Sequence, residues 1–172
     1  MSNYGTRVGA IISIEMRVLG IDPGIARTGW GVIEKEKNEA RAIAYGCFET
    51  PSTKVLAERL RDIHQFVVKL LNTHAPDALS IEDLFFNTNA KTALVVGQAR
   101  GVVLLAAAQA KIPIISYTPL QVKIAVTGYG RAEKAQVGQM VKTLLKLRVV
   151  PKPDDTTDAL AIAITHAFSF KR

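Results

Sequence analysis

Short apolar runs and longer stretches of helical period follow one another along this chain, and their order predicts an α/β domain. Val18-Leu19-Gly20-Ile21 forms the heart of a buried strand over 17–22, and Pro23-Gly24 turns the chain after it. A second strand is expected over 28–34, a hairpin tip at Lys35-Glu36-Lys37-Asn38, and a third strand over 40–50. These three make an antiparallel meander. Over 55–72 the period becomes helical: Leu56, Leu60, Ile63, Val67, Leu70 and Leu71 share one face.

Ala78-Leu79-Ser80-Ile81-Glu82 is the fourth strand, 89–111 a long helix and 112–117 the fifth strand. Thr118-Pro119-Leu120-Gln121 is a capping box with proline at the first helical position, so a short helix runs through 122–126. Gly128-Tyr129-Gly130-Arg131 is a flexible loop before a helix over 134–147. Pro151-Lys152-Pro153 closes the connection, and the last helix spans 155–168. No repeat or linker divides the chain, so a single domain over 16–172 is expected. Residues 1–15 stand apart. Their apolar patch, Val8 to Ile14, has no periodic continuation, so they read as a disordered extension or the product of an upstream start codon.

Charge changes the picture. The net charge is +7, and the stretch from Lys111 to Lys152 accounts for all of it. It holds eight basic residues, Lys111, Lys123, Arg131, Lys134, Lys142, Lys146, Arg148 and Lys152, against one acid, Glu133. A solvated helical face would explain this, and so would a nucleic-acid partner. The lone cysteine, Cys47, excludes an internal disulfide framework and a cysteine zinc site, in keeping with a cytoplasmic location. The apolar stretch from Ala93 to Ala110 is interrupted by Gln98 and Arg100. Its small residues, Gly97, Ala99, Gly101 and Ala106 to Ala108, suit close helix packing in a core or a subunit interface.

The acids carry the chemistry. Asp22 ends the first apolar run, Glu82 ends the fourth strand, and Asp155 and Asp158 precede the run Ala159 to Ile164. Each has an ordinary reading: a turn residue before Pro-Gly, a solvated strand end beside Asp83, and acids at a helix start where the dipole favours them. Together they say more. The element order sets the ends of strands one and four side by side, and Asp155 and Asp158, three apart, share a helix face. At an effective dielectric of about 20, two like charges about 5 Å apart repel by roughly 3 kcal/mol. A cluster of such acids needs protons or cations, and oxygen-only ligation suits Mg²⁺ or Mn²⁺. Two ions would serve phosphodiester hydrolysis.

The stretches LGIDPGIARTGWGVIE, SIEDLFF, NAKTALVVGQARGVV, QVKIAVTGYGRAEKAQV and DDTTDALAIAITHA occur here in order and cover nearly all of the chain from Met16. In this ordered set the chain resembles the RuvC-type Holliday-junction resolvases of the ribonuclease-H-like superfamily. The resemblance implies a ribonuclease-H-like fold with a five-stranded mixed sheet flanked by helices. It implies that Asp22, Glu82, Asp155 and Asp158 are catalytic metal ligands, with Lys123 and Lys134 near the scissile phosphate. Phe85 would sit at the junction centre, and Arg131 would bind DNA from the basic stretch. It further implies a homodimer that nicks four-way junction DNA symmetrically with Mg²⁺ or Mn²⁺, and a branch-migration motor complex of RuvA and RuvB as partner. Two rivals stay in view. GIDPG with TGWG also resembles the phosphate-binding strand pair of actin-like and sugar-kinase-like ATPases, although a second such half is missing. The other rival is a junction-binding protein without activity, against which all four acids argue.

Overall fold

The computed structural model describes residues 15–83 and 90–169. Five strands, β1 (Glu15–Asp22), β2 (Arg27–Glu36), β3 (Glu39–Glu49), β4 (Ala78–Glu82) and β5 (Ile114–Tyr117), form one mixed sheet in the order β3-β2-β1-β4-β5. β1 pairs antiparallel with β2 and parallel with β4, so it lies at the centre. Burial on both faces explains why its centre, Val18 to Ile21, is apolar.

Alternation along the strands sorts side chains between two layers. Leu19, Ile21, Val32, Leu79 and Ile81 face α1 (Leu56–His74) and α2 (Ala90–Gln109), where Ile63, Val67, Ala99 and Val103 meet them. Val18 and Ile33 face the other layer, which is made of α3 (Pro119–Thr127), α4 (Lys134–Leu144) and α5 (Asp154–Ser169). α5 is the pivot of that layer, buried from Ala159 to Ala167. Full burial of side chains such as Leu160, Ile162 and Ile164 stabilises the fold by about 1.5–3 kcal/mol each.

Glycines set how close α5 comes. A Cβ on Gly20 would overlap the Ala159 carbonyl, and one on Gly29 the Asp155 carbonyl. Gly31, the cross-strand partner of Gly20, packs under Leu160. These three positions form a trough across β1 and β2 in which the helix backbone lies almost on the sheet.

The observed elements differ from the expected ones mainly at their ends. The hairpin tip is shorter: β2 and β3 pair up to Glu36 and Glu39, leaving only Lys37 and Asn38 in the turn, with Lys37 at φ 56°. α4 stops at Leu144 instead of 147, because Lys146 adopts φ 53° and the Leu147 N–H donates back to the Lys142 carbonyl at 2.8 Å. α2 stops at Gln109 for the same reason. Lys111 takes φ 57° and the Ile112 N–H donates to the Ala107 carbonyl at 3.0 Å, so β5 begins only at Ile114. Both closures are of the kind glycine usually makes, and here a lysine makes them. The capping box at Thr118 and Gln121 forms as expected.

Candidate active site

Strand parity decides where the acids point. Asp22 lies two residues beyond Gly20, and Glu82 two beyond Ser80, so both face the α5 layer. The β1–β4 ladder runs to the Ile21–Ile81 pair, which leaves Asp22 and Glu82 side by side at the carboxyl ends of two central parallel strands. The trough delivers the first turns of α5 to the same place. Asp155 sits on Gly29, and Gly29 is the cross-strand partner of Asp22.

The electrostatics show the crowding. Asp22 is pushed up to about 7, first by burial and then by the negative charge of Asp158, Glu82 and Asp155. Glu82 is also held above the usual carboxylate range, by burial and then by Asp158. Cations relieve part of this field. Lys134 Nζ, at the first turn of α4, lies 3.0 Å from Asp158 Oδ2, and that hydrogen bond holds the lysine above its usual range. Arg27 Nε lies 3.4 Å from Asp155 Oδ2. A cleft of about 220 Å³ is lined by Glu82, Lys123, Lys134 and Asp158. Asp22 is coupled by charge to Asp158 and Glu82 in that lining, and Asp155 to Asp22.

The donor set fits a hard divalent cation: it is all oxygen, it comes from three separate elements, and its own field resists full ionisation. As placed, no three His, Cys, Asp or Glu side chains among the described residues stand close enough together to hold an ion. Lys134 and Arg27 take up two of the acids instead.

Of the residues singled out in the sequence, Asp22, Glu82, Asp155, Asp158, Lys123 and Lys134 are brought together. Arg131 is exposed in the turn between α3 and α4, and Phe85 lies outside the described residues. Asp154 is not an N-cap. It is the first residue of α5, the Thr156 N–H donates to the Pro153 carbonyl at 3.0 Å, and the Asp154 carboxylate faces Lys152 at 3.6 Å.

Two arginines next to the acids were not singled out. Arg27 had no signal beyond its place after the Pro-Gly turn. Arg100 did have one, as a charge in an apolar helix. Its Nε donates to the Glu82 carbonyl at 3.2 Å, and its Nη2 donates to Ser116 Oγ at 2.7 Å and Asp83 Oδ1 at 3.3 Å.

A five-stranded mixed sheet in this order, with a helix lying on its centre and acids gathered at the ends of β1 and β4, defines a ribonuclease-H-like domain with an acidic cleft. The profile of the family described as crossover junction endodeoxyribonuclease RuvC matches residues 18–166. The chain belongs to that family. The RuvC protein of Halothermothrix orenii is 54% identical over 156 residues, covering 91% of this chain and 94% of its own. That of Brevibacillus brevis is 55% identical over 152 residues, covering 88% and 92%. The fold is also similar to Thermus thermophilus RuvC solved in complex with a Holliday junction substrate. The TM-score is 0.86 at 41% identity, covering 90% of this chain and 94% of that one.

Proposed function

We propose that this protein is a structure-selective endonuclease that resolves Holliday junctions in DNA recombination and repair by metal-dependent hydrolysis of paired phosphodiesters. Family membership over nearly the whole chain carries this reading, and the acidic cleft supplies the chemistry it needs.

Asp22, Glu82, Asp155 and Asp158 would hold the metal, two ions of Mg²⁺ or Mn²⁺ per site. Bound there, divalent ions supply activation of the attacking water and stabilisation of the leaving oxygen. The chain's own residues do the rest. Asp22 must give up its proton to ligate, and its elevated pKa makes ligation pH-dependent near neutrality. Lys134 and Lys123 stand at the cleft as fixed positive charges that orient the scissile phosphate. Lys134 sits in a helix's first turn, where the dipole disfavours a cation; a phosphate there would satisfy both. Arg131 and the basic stretch around it hold flanking DNA, and Phe85 acts at the junction centre. The products carry 5′-phosphate and 3′-hydroxyl ends.

A homodimer matches the two-fold symmetry of a four-way junction. The outer face of α2 suits it: Leu94 and Leu105 are 66% and 51% exposed, and Gly101 between them is also exposed. α2 is long and apolar enough to cross a membrane by length and composition, and a helix partner is the alternative this reading adopts. The protein works in the cytoplasm beside a branch-migration motor of RuvA and RuvB. Incubation with a synthetic four-way junction, with and without Mg²⁺, tests the proposal. Symmetric nicks that depend on the metal are expected. Equal persistence of the junction in both lanes would overturn it.

A further inference from the structure

We propose that Arg100 is a positioning residue for Glu82: anchored on Ser116, it fixes the peptide at the end of β4 and so aims the Glu82 carboxylate into the metal site. This rests on the reading of Glu82 as a metal-binding acid.

The end of β4 needs such a device. The ladder to β1 stops at Ile81, one residue before Glu82. On the other side Glu82 pairs with Tyr117, and the Asp83 N–H donates to the Tyr117 carbonyl at 2.9 Å. The Glu82 carbonyl therefore lies beyond the last ladder pair with β1. Arg100 supplies the second hold from α2. One guanidinium spans the Glu82 carbonyl, the Asp83 carboxylate and the Ser116 hydroxyl, joining the ends of β4 and β5. Its side chain is only 18% exposed, and it stands next to Ala99, which is fully buried against the sheet. A planar fork holds its donors apart in fixed directions and so spans acceptors on two strands, a geometry that a compact lysine ammonium does not reproduce.

The hold is mechanical. Arg100 donates to the Glu82 carbonyl, to Asp83 and to Ser116, and none of these hydrogen bonds goes to the Glu82 carboxylate. Arg100 acts on the main chain of Glu82, as the partners around metal ligands do when they fix a ligand's direction. It also lies on the helix whose outer face carries Leu94 and Leu105, next to Gly101. A contact made by that face would thus be one side chain away from Glu82.

The test measures Mn²⁺ binding to the full-length protein without DNA, by the loss of the free-ion electron paramagnetic resonance signal. It also measures kcat and KM on a synthetic junction and melting in EDTA. For Arg100→Met we expect a folded protein whose Mn²⁺ affinity and kcat both fall by about 10- to 100-fold, with KM for the junction unchanged. Arg100→Lys restores the charge but not the fork, and should stay close to Arg100→Met. Full rescue by lysine would make the role electrostatic and overturn the proposal. Unchanged Mn²⁺ affinity in folded Arg100→Met would overturn it too. Should Arg100→Met fail to fold, Ser116→Ala decides, because it removes one anchor only. A fall in Mn²⁺ affinity of about fivefold, the worth of one ordinary hydrogen bond, is expected, and no fall overturns the proposal. Glu82→Gln runs alongside. If it binds Mn²⁺ like the wild type, the metal-ligand reading of Glu82 fails. If it loses Mn²⁺ while Arg100→Met keeps it, only the positioning role fails.

Discussion

Lys134 Nζ lies 3.0 Å from Asp158 Oδ2, a pair formed between the first turn of α4 and the first turns of α5. The lysine is 72% exposed, so the pair contributes little to stability, about 0–1 kcal/mol. Its value lies in being exchangeable. A cation bound by Asp158 would release the lysine toward phosphate. Lys134→Ala should leave melting nearly unchanged, slow cleavage, and reduce the salt dependence of junction binding by about 0.9 in log–log slope, one phosphate contact. An unaltered slope together with an unaltered rate would make Lys134 a solvated surface residue.

Asp22 links the site to pH. Its folded-state pKa of about 7 exceeds the ordinary value of 3.8, so the native state holds this proton more tightly than the unfolded chain. The resulting stability is complete below about pH 4 and is lost as pH rises through about 7. Asp22→Asn should therefore melt higher than wild type in EDTA, with an advantage that grows from pH 5 to pH 8. A gain of about 2 kcal/mol corresponds to roughly 4–8 °C. The same variant, like Glu82→Gln, should bind junctions and fail to cut them. Thermal melts across this pH range check the first claim, and a pH-independent difference would remove the like-charge crowding from the account.

Gly29 has no room for a side chain under the Asp155 carbonyl. Gly29→Ala must push α5 off the sheet or bend β2, at a cost of about 1–3 kcal/mol. Cleavage should fall further than the folded fraction does, because Asp155 and Asp158 move with the helix. Activity per folded molecule, measured at a temperature where the variant is fully native, separates the two effects.

The three aspartates of α5 should divide by direction. Asp154 is exposed and turned toward Lys152, so Asp154→Asn should keep most activity. Asp155→Asn and Asp158→Asn should each stay folded and lose metal-dependent cleavage. A Mg²⁺ titration of all three settles the register. A dead Asp154→Asn beside an active Asp155→Asn would exchange their roles.

Gly101 faces outward, and a Cβ there meets nothing within 4 Å in a single chain. Gly101→Leu should thus fold normally and disturb only an association through α2. A monomer by light scattering, with stability unchanged, is the expected result. A dimer of wild-type affinity would place the interface elsewhere.

Much of this was legible before any coordinates. The apolar run from Val18 to Ile21 and the run from Ala78 to Ile81 identify β1 and β4, and the order of elements makes them parallel neighbours. That adjacency alone brings Asp22 to Glu82. Helix ends were less legible, since the cue sought was glycine and the chain uses Lys111 and Lys146 in left-handed backbone. The last helix begins at Asp154, one residue before the expected 155, because Pro153 supplies its carbonyl to Thr156. Arg100 was visible only as an interruption of an apolar run. Its partners lie on two strands, and no spacing along one element announces contacts of that kind. The glycine trough had a faint signature in Gly29 and Gly31, two apart on one strand and so on one face, but a helix above them cannot be read from the strand.

The acids belong to the first strand, the fourth strand and the last helix, and the helix becomes part of the site only by lying in the trough over β1 and β2. A growing polypeptide emerges with its N-terminal end first, so Asp22 and Glu82 are made before Asp155. No piece of this chain that stops before α5 can gather the four carboxylates. With these acids as the metal site, cutting power would arrive only with the final helix.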